Sequence, residues 1–172
     1  MKKLKKKDIS VLINNAAITC PGLPLEELSD KKIVDMITLN MIATIKLTRR
    51  IYSFFLEKDG GTIININSIV GLEPKKDRTI YCASKFGLRG FSESLRLESK
   101  GSNIKIMDVY LSKVKTRPND NFGMSVESIA REICTMFKRG NVERLVIDGR
   151  PEEYRINKFK EGKLVNGREY EI

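Results

Sequence analysis

The stretch Thr62-Ile63-Ile64-Asn65-Ile66-Asn67-Ser68, followed after a loop with Gly71 and Pro74 by Tyr81-Cys82-Ala83-Ser84-Lys85, decides how this chain reads. Its first part is an isoleucine-rich run of strand length, and its second opens residues 80–99, whose apolar spacing predicts a long helix. Tyr81 and Lys85 are one helical turn apart, so the phenol and the ammonium share a face. Ser68 closes the strand, where its hydroxyl can point into the crevice at the carboxyl edge of a parallel sheet. A phenol titrates near ~10 and is a poor acid–base group at neutral pH. A neighbouring ammonium favours the phenolate and lowers that pKa. The three side chains predict proton transfer to or from a substrate hydroxyl or carbonyl. Tyr154 and Lys158 repeat the spacing, but no strand ending in serine precedes them, and Tyr154 reads as a surface residue.

Residues 11–18 predict a short apolar strand, and Pro21, Gly22 and Pro24 a loop. Ser29 and Asp30 can cap a helix over residues 29–58, in which Ile33, Ile37, Met41, Ile45, Thr48 and Phe55 recur at helical spacing. Gly87 and Gly90 in the second helix predict close packing against another element. Residues 104–110 read as a strand, 113–123 as a loop, 126–139 as a third helix and 144–147 as a last strand. Such alternation implies parallel strands joined by right-handed crossovers, an α/β fold. Residues 1–150 form this domain. Residues 151–172 are a charged tail, in which Asn166-Gly167 suits a hairpin turn; a frayed segment is the other reading.

Val11-Leu12-Ile13-Asn14-Asn15-Ala16-Ala17, Asn40, Asn65-Ile66-Asn67-Ser68-Ile69-Val70-Gly71 and Tyr81-Cys82-Ala83-Ser84-Lys85 together resemble the short-chain dehydrogenase/reductase family in order and spacing, from about residue 9 to about residue 116. The resemblance implies a doubly wound, Rossmann-like parallel sheet, here a partial one. It also implies an oxidoreductase moving hydride between NAD or NADP and a small alcohol or carbonyl. By that resemblance Tyr81 is the acid–base residue, and Lys85 lowers its pKa and holds the nicotinamide ribose. Ser68 bonds the reacting oxygen, and Asn40 anchors a water in the proton relay. Asn14 and Ala16 steady the sheet and line the cofactor cleft, and Thr116 matches the family's threonine beside the nicotinamide. Ala17 stands where the family has Gly, and Leu111-Ser112 where it has Pro-Gly. The two long helices, residues 29–58 and 80–99, would form the family's homo-oligomer contact.

The family's Gly-rich turn, which cradles the pyrophosphate, has no counterpart in these residues. The sequence therefore reads as N-terminally truncated relative to the family, with residues 11–18 becoming an edge strand and the isolated chain having little or no dehydrogenase activity. A non-catalytic dimerising or interaction module derived from the same fold is the alternative.

Composition narrows the field. With 41% hydrophobic and 31% charged residues the chain is a globular domain with a real core. There is no His, and Cys20, Cys82 and Cys134 lack metal or redox spacing, so no metal site is expected. Three such cysteines suit a reduced, cytoplasmic protein. The net charge of +10 is spread along the chain apart from residues 2–7. Without a nucleic-acid fold signature it predicts nonspecific polyanion binding at low salt rather than a specific nucleic-acid partner. No run approaches a membrane span.

Overall fold

The structure is a computed structural model that describes residues 9–19, 22–116, 120 and 122–150, together with the backbone of 163–165 and 168–171. Residues 2–7, Cys20, Pro21, Tyr154 with Lys158, and the Asn166-Gly167 turn lie outside the described residues.

Strands β1 (Val11–Asn14), β2 (Gly61–Ser68), β3 (Ile104–Leu111) and β4 (Arg144–Ile147) pair in parallel, in that order across the sheet. Strand β6 (Arg168–Glu171) runs antiparallel to β4, and β5 (Lys163–Val165) antiparallel to β6. Strands β6 and β5 thus extend the sheet beyond β4.

Side chains alternate across the pleat, and each central strand is apolar on both faces. Ile63, Ile104 and Ile106 pack with Ile51, Phe55 and Leu95 on one face; Ile64, Met107 and Val109 pack with Ile129, Met136 and Leu145 on the other. The first face carries α2 (Thr44–Glu57) and α3 (Thr79–Glu98), with α1 (Asp30–Ile37) packed against α3, and the second carries α4 (Val126–Arg139). Capping follows the sequence. Ser29 accepts from the Lys32 N–H, Ser125 accepts from the Ser128 N–H, and Gly140 ends α4 at φ 73°. The fold is the expected α/β arrangement.

Three local expectations are corrected. Strand β1 stops at Asn14 rather than continuing to residue 18, because the Asn40 side-chain amide takes both the N–H and the C=O of Ile18. The helix expected over residues 29–58 is interrupted by a π-turn, Thr38–Ala43, with Asn40 inside it. Gly87 makes the close approach expected of it, since a Cβ there would lie 2.4 Å from the Met41 sulfur, whereas Gly90 has nothing within 4 Å. Among the described residues β1 is the outermost strand at its side of the sheet, as expected, and its Ile13 is 54% exposed. No helix of the described residues is long and apolar enough to cross a membrane.

Candidate active site

Ser68 is the last residue of β2, paired in register with Leu111, the last residue of β3. The chain turns there into a short 3-10 helix, Ile69–Gly71, because the Ser68 hydroxyl accepts from the Val70 N–H at 3.4 Å. The same hydroxyl donates to the Leu111 carbonyl at 3.3 Å. Asn67 ties this corner to α3: its Oδ1 accepts from the Ser68 N–H at 2.8 Å, and its Nδ2 donates to the Lys85 carbonyl at 3.2 Å. Gly71 is required by the closeness of that contact. A Cβ there would meet the Asn67 Oδ1 at 2.9 Å and the Lys85 carbonyl oxygen at 3.0 Å. The corner therefore presents Ser68 to the first turns of α3 with little freedom.

Tyr81 and Lys85 project from those turns. Lys85 is buried, 3% exposed, with Nζ donating to the Ile66 carbonyl at 3.2 Å and lying 5.8 Å from the centre of the Tyr81 ring. Burial lowers its pKa to about 8. For Tyr81 the balance differs from the expectation. Burial raises the phenol above its ordinary value; a hydrogen bond from Ser68 and the charge of Arg78 pull it down, and Cys82 pushes it up. The Lys85 ammonium beside the ring is itself desolvated and engaged by a backbone carbonyl, and the Arg78 guanidinium is a second cation facing the phenol. Both Ser68 and Tyr81 line a cavity of about 1240 Å³ at the carboxyl edge of the sheet.

The other expected site residues divide. Asn40 is fully buried; besides holding Ile18, its Nδ2 donates to the Ser84 hydroxyl at 3.1 Å. It clamps the segment after β1 onto α3 next to Lys85, and a π-turn is a common device for placing such a residue. The Asn14 amide nitrogen donates to Thr48 at 2.8 Å and to Asn65 at 2.7 Å, so Asn14 steadies the sheet. Ala16 is exposed beyond the end of β1, and Thr116 is exposed with its N–H bonded to Asp120; neither lines the cavity. Ala17 keeps a negative φ, so the residue the family fills with glycine is unstrained here. At Leu111-Ser112 the chain stays tied to β4: the Ser112 N–H donates to the Ile147 carbonyl, and its hydroxyl accepts from the Gly149 N–H at 2.8 Å.

The chain matches the family model described as short chain dehydrogenase over residues 1–127. It belongs to the short-chain dehydrogenase family.

Among curated relatives of this family member, the NADP-dependent 3-hydroxy acid dehydrogenase of Schizosaccharomyces pombe is 36% identical over 109 residues, covering 63% of this chain and 42% of the relative. Carbonyl reductase family member 4 of Xenopus laevis is 35% identical over 109 residues, covering 63% of this chain and 46% of the relative. The matched stretch thus spans less than half the length of these relatives. A short-chain dehydrogenase from Sphingobium yanoikuyae, solved in complex with NADPH, superposes with a TM-score of 0.71 at 26% identity, covering 84% of this chain and 58% of that one.

One feature of this short-chain dehydrogenase chain was not anticipated from sequence. Asn14, Asn65, Asp108 and Arg144 sit side by side in register across β1 to β4. Asn65 donates to Ser92 of α3 at 2.9 Å, and Arg96 of the same helix pairs with Asp108 at 2.6 Å. The signal was present as a polar residue inside each apolar strand run, which must find partners once buried.

Proposed function

We propose that this chain is an NAD- or NADP-dependent oxidoreductase acting on an alcohol or carbonyl, with Tyr81 as its acid–base group. The observation that carries the reading is the shared cavity of Ser68 and Tyr81 with the Lys85 ammonium buried behind the ring. Support also comes from the relatives whose names specify NADP or NADPH.

The residues fit the nicotinamide end of such a cofactor. The Lys85 ammonium has three donors, one taken by the Ile66 carbonyl, and suits ribose hydroxyls. For the pyrophosphate end these 172 residues contain no Gly-x-Gly-x-x-Gly turn. When bound, the nicotinamide supplies or accepts the hydride. Tyr81 gives its phenolic proton to the carbonyl oxygen during reduction and takes it back during oxidation. Ser68 turns its one hydroxyl proton from the Leu111 carbonyl to that oxygen, and Arg78 offsets part of the cost of holding phenolate in a buried place. Asn40 acts as a positioning residue through Ile18 and Ser84.

Affinity for the dinucleotide should be low. Micromolar binding corresponds to about −8 kcal/mol, and much of it belongs to the pyrophosphate end. Carbonyl-dependent oxidation of NADPH and NADH at millimolar concentration, with the 172-residue chain, tests the reading. Tyr81→Phe is expected to lower kcat/KM by roughly 10²–10⁴-fold. An unchanged rate in that variant would refute the assignment.

Pairing of two copies through the long helices is part of this proposal. It is supported by the outward row Ala83, Phe86, Gly90 and Leu97 on α3, where Gly90 leaves open space for a second helix. A monomer in sedimentation at tens of micromolar would contradict it. The free thiols Cys82 and Cys134 support a reducing, cytoplasmic setting.

A further inference from the structure

Granting the carbonyl chemistry at Tyr81, on which this inference rests, we propose that Asn67 is a positioning residue of the reaction. Its side-chain amide locks Ser68 to the Tyr81–Lys85 turn, in a space that exists because residue 71 is glycine. Asn67 is buried, 3% exposed, and does not line the cavity, so it acts through its neighbours rather than on a ligand.

Strand β2 holds Lys85 at both ends. The Ile66 carbonyl accepts from the Lys85 ammonium at 3.2 Å, and the next residue, Asn67, donates through Nδ2 to the Lys85 carbonyl, also at 3.2 Å. The other corner of the same amide, Oδ1, accepts from the Ser68 N–H at 2.8 Å. A carboxamide carries its acceptor and its donors on one planar group, so a shift at one partner is felt at the other. Ser68 is thereby tied to the backbone of α3 one turn beyond Tyr81. Residues four apart share a helix face, so holding Lys85 also sets where the phenol stands relative to the serine hydroxyl. Gly71 completes the arrangement. A Cβ there would lie 2.9 Å from the Asn67 Oδ1 and 3.0 Å from the Lys85 carbonyl oxygen, and so would press on both ends of the link at once. Gly71 has no positive φ, so the requirement is space rather than backbone conformation. Asn67 and Gly71 act as a pair.

Measurements on the 172-residue chain test this. In the wild type, the Asn67 side-chain amide protons, read by NMR, should exchange slowly with water, as buried and bonded groups do. Exchange at the rate of a free amide would overturn the proposal, and this measurement needs no variant to fold. The Tyr81 phenol is then titrated through the ζ-carbon resonance of isotope-labelled tyrosine, assigned by its loss in Tyr81→Phe. Ser68 from β2 acts on that phenol, as do Arg78 and Cys82 near the head of α3, and the Lys85 ammonium lies beside the ring. Asn67→Ala alters none of these groups but frees Ser68, whose hydrogen bond pulls the phenol down, so the titration should move up. Gly71→Ala should move it the same way. The double variant should move it no further than the larger single shift, since both substitutions break one link. In carbonyl reduction, Asn67→Ala should lose roughly 10- to 100-fold in kcat, the scale of a displacement of about 1 Å, while KM changes by less than about threefold. A titration unmoved in both folded variants, shifts that add in the double variant, or a loss carried by KM alone would each overturn the proposal. Its failure is separable from that of the oxidoreductase reading. Full kcat in Asn67→Ala removes the Asn67 link and keeps the oxidoreductase. A shifted titration in a chain that reduces no carbonyl keeps the link and removes the oxidoreductase.

Discussion

Helix α3 carries Tyr81 and Lys85 near its start and Ser92 and Arg96 about three turns later, and the two ends treat polar groups differently. At the far end, Ser92 and Arg96 close a buried row: Asn14 donates to Asn65, Asn65 donates to Ser92, and Arg96 pairs with Asp108. At the near end Tyr81 lies beside a cavity, and the Lys85 ammonium, buried almost completely, is given one backbone carbonyl. Buried polar groups bound into a network fix a structure, and those that face a cavity cost stability and retain chemical potential. One helix therefore holds a structural end and a reactive end. Substitutions should separate them.

The largest effect is expected at the structural end. Arg96 is the charged partner of Asp108, whose carboxylate is fully buried and whose Oδ1 has no hydrogen-bond partner. Burial already holds the Asp108 carboxyl above its usual range, with Ser92 and Arg96 pulling it back. Arg96→Ala would remove the charged partner of that buried carboxyl and should cost about 3–5 kcal/mol in urea unfolding. The loss should shrink as the pH falls, because protonation removes the buried charge, and a folded-state pKa above the unfolded one favours the folded chain at low pH. A loss below about 1 kcal/mol, or one independent of pH, would show that the row is not held by charge.

These two ends were unequally legible. The near end followed from one-turn spacing and a strand ending in serine, since covalent geometry on a helix and a strand fixes which side chains can meet. Alternation gave parallel strands joined by crossovers, while the edge position of β1 followed only from the family resemblance and the part of that fold these residues lack. The row at the far end depends on register, which sets Asn65 opposite both Asn14 and Asp108, and register is a tertiary property. For the same reason, the early end of β1 was missed: it is decided by Asn40, 22 residues away from Ile18. The sign of the Tyr81 shift was also hidden. Spacing places a cation near the phenol but cannot weigh burial against it, or reveal that Arg78 also faces the phenol's charge.

A smaller effect is expected from Lys85, read as a pH dependence. Its folded-state pKa of about 8 lies below the ordinary 10.5. Between those values the unfolded chain holds the proton and the folded chain does not, so stability should rise with pH from about 8 to about 10.5. The full gain is on the order of 3 kcal/mol. Lys85→Met, close in volume and without charge, should flatten that rise and be more stable than the wild type below pH 8. Parallel pH profiles for the two proteins would mean that the ammonium is solvated in the folded chain.

The smallest change in stability should come from the substitution with a large effect on rate. Tyr81→Phe removes one oxygen that faces a cavity and is no part of the buried row, while the ring keeps its packing with Leu28 and Met36. Ser68 retains its bonds to Val70 and Leu111, so no buried partner is orphaned. Unfolding free energy should change by less than about 1 kcal/mol, and relief of the phenol's desolvation makes a slight gain the expected sign. Paired with a loss of turnover, that result would mark Tyr81 as held for chemistry at no benefit to the fold. A destabilisation of 2 kcal/mol or more would instead make its hydroxyl a structural group like Ser92, and the contrast between the two ends of α3 would disappear.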